Sequence, residues 1–170
     1  FAALLALLRV QGATVRQPVR GGLPRLAQPR IPSGRLPGTN ILHLAIGLPL
    51  RETAALEALL RELYDPSSAQ FRRYLSTEEF TRRFGPTPSD YEAVIDFARA
   101  NGLKITRTHP NRLLLDVEGS VTVIERAFQV RMNAYVHPAE ARIYHAPDAD
   151  PSMAIGVPVL QVSGLHNYRL

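Results

Sequence analysis

The chain of 170 residues contains no cysteine. This absence excludes a disulfide scaffold, a thiol nucleophile and any zinc site built on cysteine. A phosphate-binding loop, a dinucleotide fingerprint, an HExxH metalloprotease motif and a GxSxG nucleophile elbow are also missing from the sequence. The five histidines are far apart and none has the spacing of metal ligands. We therefore predict no catalytic residue, no metal ligand and no cofactor in this chain.

Acidic residues are missing from the first forty positions, which hold six arginines. The other 14 basic residues and all 15 acidic residues lie in 41–170, so this body has charge −1 although the whole chain has charge +5. The first forty residues also contain five of the 14 prolines and five of the 11 glycines. We predict that residues 1–40 are a disordered basic lead-in. The nearly neutral body argues against a nucleic-acid-binding module, which the high pI would otherwise suggest.

Long apolar runs are scarce. The longest stands at the start, FAALLALL, and Arg9 follows it. A membrane-spanning helix needs about 20 apolar residues, so we predict no membrane span. The run has the length of the hydrophobic region of a secretory signal, but neither a basic region nor an initiator Met precedes it. A truncated signal peptide at residues 1–9 and a short tail helix or mis-assigned start both stay open.

The body shows the periodicities of alternating strands and helices. Ser76 followed by Glu79 is a capping-box pattern, and Thr87 followed by Pro88 marks a second helix start. Apolar runs and strict alternation predict the strands, and apolar residues at helical spacing predict the helices. The predicted strands are 41–48, 103–108, 112–118 and 129–136, with a possible edge strand at 142–146. The predicted helices are 51–64, 76–84, 87–101 and 120–128.

This order of elements predicts an α+β fold. Strand, helix, strand, strand, helix and strand, with one extra helical insert, suits a ferredoxin-like (split βαβ) layout, an antiparallel sheet with helices packed on one face. We predict that residues 41–146 form this domain. From residue 147 the chain is again rich in proline and ends in an apolar stretch. We therefore predict that residues 147–170 are an exit segment, or linker, toward a further domain.

Two side-chain groups could carry chemistry but have simpler interpretations. Glu92 and Asp96 are four residues apart on one predicted helix, where two carboxylates can act as an acid–base pair. We favour a solvated helix face for them, because no hydroxyl nucleophile stands in a motif elsewhere. Two arginine pairs, at 72–73 and 82–83, lie among aromatic residues, a pattern that can bind single-stranded nucleic acid. Glutamates interrupt this patch, so we favour internal ion pairing.

One block of the sequence has a specific pattern. It consists of Leu63-Tyr-Asp-Pro-Ser67, Phe71-Arg-Arg-Tyr-Leu75, Thr77-Glu-Glu-Phe80 and Phe84-Gly85. With Thr108-His-Pro-Asn-Arg112 and Ile124-Glu-Arg-Ala-Phe128, it resembles the activation domain of the sedolisins, the serine-carboxyl peptidases of kumamolisin type. Ser68-Ala69 departs from the Ser-Pro that is common in that family. The residues that carry the pro-domain motif are Tyr64, Asp65, Pro66, Tyr74, Leu75, Glu79, Phe80, Phe84, Gly85, His109, Pro110 and Asn111.

The resemblance implies a zymogen pro-segment. Such a segment has a ferredoxin-like fold similar to subtilisin-type propeptides, assists folding of the peptidase domain, blocks its substrate cleft and is removed by autoprocessing in acid. The expected partner is this chain's own downstream peptidase domain, a serine-type endopeptidase or tripeptidyl-peptidase, and calcium is expected only there. The expected location is secreted or in the cell envelope. A stand-alone peptidase inhibitor of the same fold is the alternative.

Release in acid requires groups that change charge between neutral and acidic pH. Carboxylates ordinarily titrate near pH 4 and histidines near pH 6.5. Two histidines and two aspartates lie close together in sequence near the start of the predicted exit segment. We predict that they form a pH trigger or part of the interface with the peptidase. These residues are His137, His145, Asp148 and Asp150.

Overall fold

A computed structural model of the chain describes residues 15–21 and 31–169. These residues form nine strands and four helices. The strands are β1 (Arg16–Pro18), β2 (Gly34–Arg35), β3 (Ile41–Gly47), β4 (Lys104–Thr108), β5 (Leu114–Ser120), β6 (Met132–Val136), β7 (Ile143–Pro147), β8 (Ser152–Ala154) and β9 (Gln161–Ser163). The helices are α1 (Thr53–Tyr64), α2 (Thr77–Phe84), α3 (Pro88–Ala100) and α4 (Val121–Phe128). The predicted signal region at residues 1–9 lies outside the described residues.

The central sheet has four strands in the order β4-β5-β3-β9, and each neighbouring pair is antiparallel. The α+β class is therefore confirmed. The chain enters β3, crosses through the helices to β4, and returns as β5 between the two, which is the order of a split βαβ unit. Next to β3 on its other side stands β9, from the end of the chain. The strand after α4, β6, pairs instead with β2 and β7 in a second sheet.

The helix starts follow local sequence signals. Ser76 accepts a hydrogen bond from the Glu79 amide at 3.2 Å, and Glu79 accepts one from the Ser76 amide at 3.1 Å, so the predicted capping box is present. Thr87 and Asp90 form a second capping box at the start of α3, with Pro88 in the first helical position. Ser120 caps α4 through the Val123 amide. Each cap satisfies backbone donors that would otherwise be unpaired at a helix start.

Helices α3 and α4 cover one face of the central sheet. Their apolar side chains meet the inward side chains of β3 and β5 in one buried cluster, which includes Phe97 and Phe128 with ring centroids 6.0 Å apart. The other members at this contact include Leu44, Ile46, Val94, Ala98, Leu115, Val117, Val121 and Ile124. No helix in the described ranges is long and apolar enough to cross a membrane.

The prediction of a disordered lead-in is wrong for residues 15–21 and for much of 31–40. Strand β1 pairs with β8, and Val19 is buried in the main core. The Gln17 side-chain amide donates to the carbonyl of Val157 at 2.5 Å. In the second segment, β2 pairs with β6, and Arg35 forms a 2.6 Å ion pair with Glu125. These partners lie about a hundred residues away or more in the sequence, and local composition carries no information about such distant pairing.

The last part of the chain also packs on the body. Strand β8 pairs with β1 and β9 pairs with β3, and Met153, Val162 and Leu165 are buried in the main core. The apolar residues near the end of the sequence are therefore buried against other parts of the described structure. Whether 41–146 and 147–170 are separate units of organisation stays a prediction.

Candidate functional site

The face of the central sheet that points away from α3 and α4 carries mainly polar side chains. Because side chains alternate along a strand, Leu44 and Ile46 enter the core while His43 and Ala45 point to the other side. We call this other side the open sheet face. Its residues are Ile41, His43 and Ala45 on β3, Lys104, Thr106 and Arg107 on β4, Leu114, Asp116 and Glu118 on β5, and Gln161 and Ser163 on β9.

The middle of the open sheet face is shallow and accessible. A depression of about 430 Å³ is lined there by His43, Ala45, Thr106, Asp116 and Ser163, with the backbone of neighbouring residues. The His43 side chain is 75% exposed. Ile41 at one end of β3 is 56% exposed although it is a large apolar residue. A broad, shallow face of small, polar and apolar residues suits contact with another protein surface better than enclosure of a small molecule.

Most charged groups of the open sheet face have a partner there or at its edge. Glu118 accepts a hydrogen bond from the Lys104 ammonium at 2.7 Å and lies 3.4 Å from the His43 ring. The hydrogen bond from Lys104 lowers the pKa of the Glu118 carboxyl. Asp116 is 3.0 Å from the Nε2 atom of His109. The face therefore presents balanced charge, unlike the basic surface that nucleic acid requires.

The sequence motif from residue 63 to residue 85 covers the end of α1, the compact loop at residues 65–76 and helix α2. The Asp65 carboxylate accepts hydrogen bonds from the Ser67 amide at 2.9 Å and from the Ser67 hydroxyl at 2.7 Å. The hydroxyl bond is the main cause that lowers the pKa of Asp65. Arg72, in the left-handed region with φ 57°, returns its amide to the carbonyl of Leu63 at 3.1 Å. The Tyr-Asp-Pro motif is thus a loop-forming element.

The aromatic motif residues Phe80 and Phe84 belong to a small second core with Leu75. Their ring centroids are 5.5 Å apart, and Phe84 is buried against Leu59 and Leu63 of α1. Gly85 ends α2 where a Cβ atom would lie only 2.7 Å from the carbonyl oxygen of Thr81. These contacts fix α2 on α1. By contrast, Tyr64 and Tyr74 are 71% and 65% exposed.

The His109-Pro110-Asn111 motif forms the turn between β4 and β5. The His109 amide donates to the Tyr91 hydroxyl at 3.0 Å, and this hydroxyl donates to the carbonyl of Leu114 at 2.8 Å. Burial raises the pKa of Tyr91. Asn111 accepts from the Leu113 amide at 3.2 Å, and Arg112 donates to the carbonyl of Pro86 at 2.7 Å. The turn therefore joins the sheet hairpin to α3 and to the end of α2.

Comparison with known proteins identifies the motif. A family model described as "Pro-kumamolisin, activation domain" matches residues 31–168. The chain belongs to this family. It is 31% identical over 125 residues to sedolisin from Pseudomonas sp. (strain 101) and 33% identical over 128 residues to xanthomonalisin from Xanthomonas sp. (strain T-22). Each alignment covers 74% of this chain but only 21% and 15% of the two relatives, so the chain spans about a fifth or less of their length.

The motif residues of this activation domain are mainly structural. They supply loop geometry, helix caps and core, and they bring α1, α2 and the hairpin turn together. A cleft of about 280 Å³ remains where Pro110 and Asn111 meet α2. Within residues 15–21 and 31–169, no group of three or more histidine, aspartate or glutamate residues could hold a metal ion.

The solvated helix face predicted for Glu92 and Asp96 and the ion pairing predicted for the two arginine pairs have different outcomes. Glu92 and Asp96 are exposed and lie 3.3 and 3.6 Å from the guanidinium of Arg99, as on a solvated helix face. None of the four arginines of the two pairs forms a direct salt bridge with a described carboxylate, although the charge of Arg82 helps to lower the pKa of Glu78, after the backbone and Ser76 hydrogen bonds that lower it more. Arg72 and Arg83 instead lie over the rings of Phe71 and Phe84, each 5.0 Å from the ring centroid. A cation over an aromatic face is a favourable contact, so these two arginines interact with aromatic neighbours.

The four residues proposed as a pH trigger are spread along the β6–β7 hairpin of the activation domain. His137 lies at the loop end, buried among tyrosines and 4.8 Å from the Tyr168 ring centroid. His145 lies in the middle of β7. Asp148 lies beyond the opposite end of β7, where it accepts from the Arg131 amide at 2.8 Å, and Asp150 is exposed. The structure does not gather the four residues at one place.

The sequence patterns assigned no role to the individual residues of two groups. One is the open sheet face, whose signal was present in the alternation of Ile41–Gly47 and Leu114–Ser120. The other is His166, whose ring interacts electrostatically with His145. No local pattern reveals this pair, because β7 and the end of the chain meet only in the fold.

Proposed function

We propose that this chain is the pro-segment of a sedolisin-type serine-carboxyl peptidase and is not itself catalytic. It covers the substrate cleft of the peptidase domain, assists the folding of that domain and is removed by autoprocessing in acid. The observation that carries this proposal is the match of residues 31–168 to the pro-kumamolisin activation domain. The relatives named above are peptidases several times longer than this chain, which is consistent with a tethered peptidase domain in the precursor.

The open sheet face is the docking surface in this proposal. Its two basic and two acidic residues balance in charge, and its Lys104–Glu118 pair and small central residues limit the charge that a partner has to bury unpaired. The opposite face is already occupied by α3 and α4, so only one face of the central sheet is left for a partner. The segment after β9 then leads the chain from the docked domain toward the peptidase.

The mechanism follows from binding thermodynamics. A segment that binds the native peptidase domain but not its unfolded chain stabilises the native state by RT ln(1 + [L]/Kd), where [L] is the concentration of the segment. A covalent tether gives an effective concentration of the order of millimolar, so even a modest intrinsic affinity keeps the cleft closed. Cleavage of the tether removes this advantage, and the segment then dissociates by dilution.

The location follows from the same proposal. We propose that the precursor is secreted or held in the cell envelope, since the apolar run at residues 1–8 has the length of a secretory hydrophobic region. Fusion of residues 1–40 to a reporter enzyme, followed by assay of medium and cells, tests this. Retention of all reporter activity inside the cells contradicts it.

The decisive experiment adds the purified chain to the mature peptidase domain of its precursor. Two assays run in parallel, inhibition of peptide hydrolysis near neutral pH and recovery of activity when the denatured peptidase is refolded. We expect saturable inhibition and a higher yield of refolded enzyme. Inhibition without any effect on refolding favours a stand-alone inhibitor, and failure in both assays contradicts the proposal.

A further inference from the structure

The last described residues form a strap along the outer edge of β7, here defined as residues 164–168. The strap leaves β9 at Gly164, whose φ of +95° is a left-handed conformation that favours glycine. The His145 amide donates to the side-chain carbonyl of Asn167 at 2.7 Å, and the Asn167 amide donates to the carbonyl of His145 at 3.3 Å. The Arg142 guanidinium donates to the carbonyls of Asn167 and Tyr168 at 2.8 and 2.6 Å. The strap is therefore held by polar bonds to β7 and to Arg142 just before it, by Leu165, which is buried in the main core, and by the Tyr168 ring, which packs on Tyr144 and His137.

Two imidazole rings lie at the contact between strap and strand. His145 projects from β7 and His166 from the strap, both rings partly buried and close enough to interact electrostatically. The Nδ1 atom of His166 is fully buried and has no hydrogen-bond partner among the described residues. A neutral ring can leave this nitrogen as an unprotonated acceptor, whereas a protonated ring carries an N–H at both nitrogens. A buried charged N–H without an acceptor is strongly unfavourable.

No described carboxylate lies within ion-pair distance of either ring. On β7 and just before it, the charged groups are Arg142 and Glu140, and Glu140 is paired with Arg142 at 2.5 Å and with His137 at 3.5 Å. Just beyond β7, Asp148 is engaged by the Arg131 amide. Strand β6, which pairs with β7, carries no charged residue. Besides His166, the titratable side chain of the strap is Tyr168, and the neighbouring Arg169 is itself positively charged. Nothing in this set compensates two added positive charges.

We propose that the strap is an acid-sensitive latch, which opens when His145 and His166 become protonated. The closed latch buries two neighbouring rings that are stable together only when neutral. Opening exposes both rings to water and separates their charges. Opening moves residues 166–168, which give up their bonds to His145 and Arg142 and the ring contacts of Tyr168. Leu165 stays in the main core, and β9 and the central sheet stay in place.

The direction of the pH dependence follows from the environment of each ring. Burial lowers the pKa of His145, with a further lowering by His166 and an opposing hydrogen bond to the Gly164 backbone. Burial also lowers the pKa of His166. A histidine with a lowered pKa in the closed state favours closure above its ordinary pKa of about 6.5, and this stabilisation is lost as the pH falls below that value. For each pKa unit by which closure lowers a histidine pKa, the ratio of open to closed strap rises about tenfold at a pH where that histidine is protonated in both states.

In the proposed pro-segment, opening of this latch would control how the chain leaves the docked domain. Only this consequence rests on the proposed function. The strap is the part of the described chain that would lead toward the peptidase domain. Its release in acid would give the following residues more freedom to reach, or to leave, the peptidase cleft. The opening itself is a property of this chain alone.

The test measures latch opening in the isolated chain by NMR. Hydrogen-exchange protection factors, corrected for intrinsic rates, are recorded for the His145 and Asn167 amides between about pH 7.5 and pH 4.5, together with the ring titrations of both histidines. We expect both ring pKa values below the ordinary value. We also expect protection of the two amides to fall at least tenfold across this range while amides of β5 keep theirs. Ordinary ring pKa values with unchanged protection overturn the latch.

Variants separate the latch from general acid unfolding. The double variant H145Q/H166Q removes both titrating rings, and H43Q is the matched control on the exposed open sheet face. We expect the double variant to lose the pH dependence of protection and H43Q to keep it. If the double variant fails to fold, the wild-type titration still decides. A working latch in a chain that does not inhibit the peptidase refutes the proposed function alone, and inhibition with a pH-independent strap refutes the latch alone.

Discussion

The motif block, residues 63–85 with the 109–111 turn, and the open sheet face differ in what their residues do. The motif block contains nearly all residues by which the family can be recognised, and most of them cap helices, shape a loop or fill the small core around Phe84. The open sheet face contains no motif, yet it is the surface that we propose for docking of the partner. The residues that identify this domain are thus mainly residues that maintain its shape. Substitutions in the two regions should therefore affect different measurements.

The largest effect is expected from F84A in the motif block. Phe84 is 1% exposed and packs on Leu59, Leu63 and Phe80, so truncation leaves a cavity in a small core. We expect a loss of about 3–5 kcal/mol in the free energy of unfolding, measured by chemical denaturation. The control is Y74A in the same block, where an exposed side chain should change stability by about 0.5 kcal/mol or less. Equal losses in the two variants would show that α1 and α2 do not pack as described.

The complementary substitution is A45W at the centre of the open sheet face. A large side chain there should leave folding intact but keep a partner from approaching β3. We expect inhibition of the peptidase to weaken about tenfold or more, which corresponds to about 1.4 kcal/mol of binding free energy. The same substitution at Ala100, on the helical side of the sheet, is the matched control and should inhibit like wild type. If A100W weakens inhibition and A45W does not, the docking surface lies on the helical side.

A smaller difference in stability is expected when one serine hydroxyl is removed from each of the two regions. S76A removes the cap that receives the Glu79 amide, and we expect it to cost about 1 kcal/mol of stability. S163A lies on β9 in the open sheet face and should leave the unfolding free energy nearly unchanged. Thermal or denaturant unfolding of both variants measures the difference. A loss for S163A as large as that for S76A would contradict the division of roles.

The same contrast explains which features the sequence could predict. The capping boxes at Ser76 and Thr87, the hairpin turn at residues 109–111 and the strand alternation in β3 are encoded by residues a few positions apart, and each appears in the structure. The pairing of β1 with β8 and the contact of His166 with His145 depend on residues that meet only after folding. For such contacts a short segment has the same composition whether it is paired or free. The composition of the Pro/Gly/Arg-rich lead-in therefore predicts disorder, although parts of it complete the core and the second sheet.

The smallest effect concerns the ion pair on the open sheet face. In K104M the Glu118 carboxyl loses its 2.7 Å hydrogen bond from the ammonium, so its pKa should rise back toward the ordinary value. A lowered glutamate pKa stabilises the fold above its ordinary value and loses that contribution as the pH falls through the lowered value, so K104M should weaken this acid dependence. The change in stability itself should be small and should shrink further in high salt, because the pair is exposed. An NMR titration of the Glu118 carboxyl carbon measures the shift, with R99M beside the exposed Glu92 and Asp96 as a control that should not move Glu118. An unchanged Glu118 titration in K104M would mean that Lys104 does not hold this carboxylate in solution, and the face would then present an unpaired negative charge to its partner.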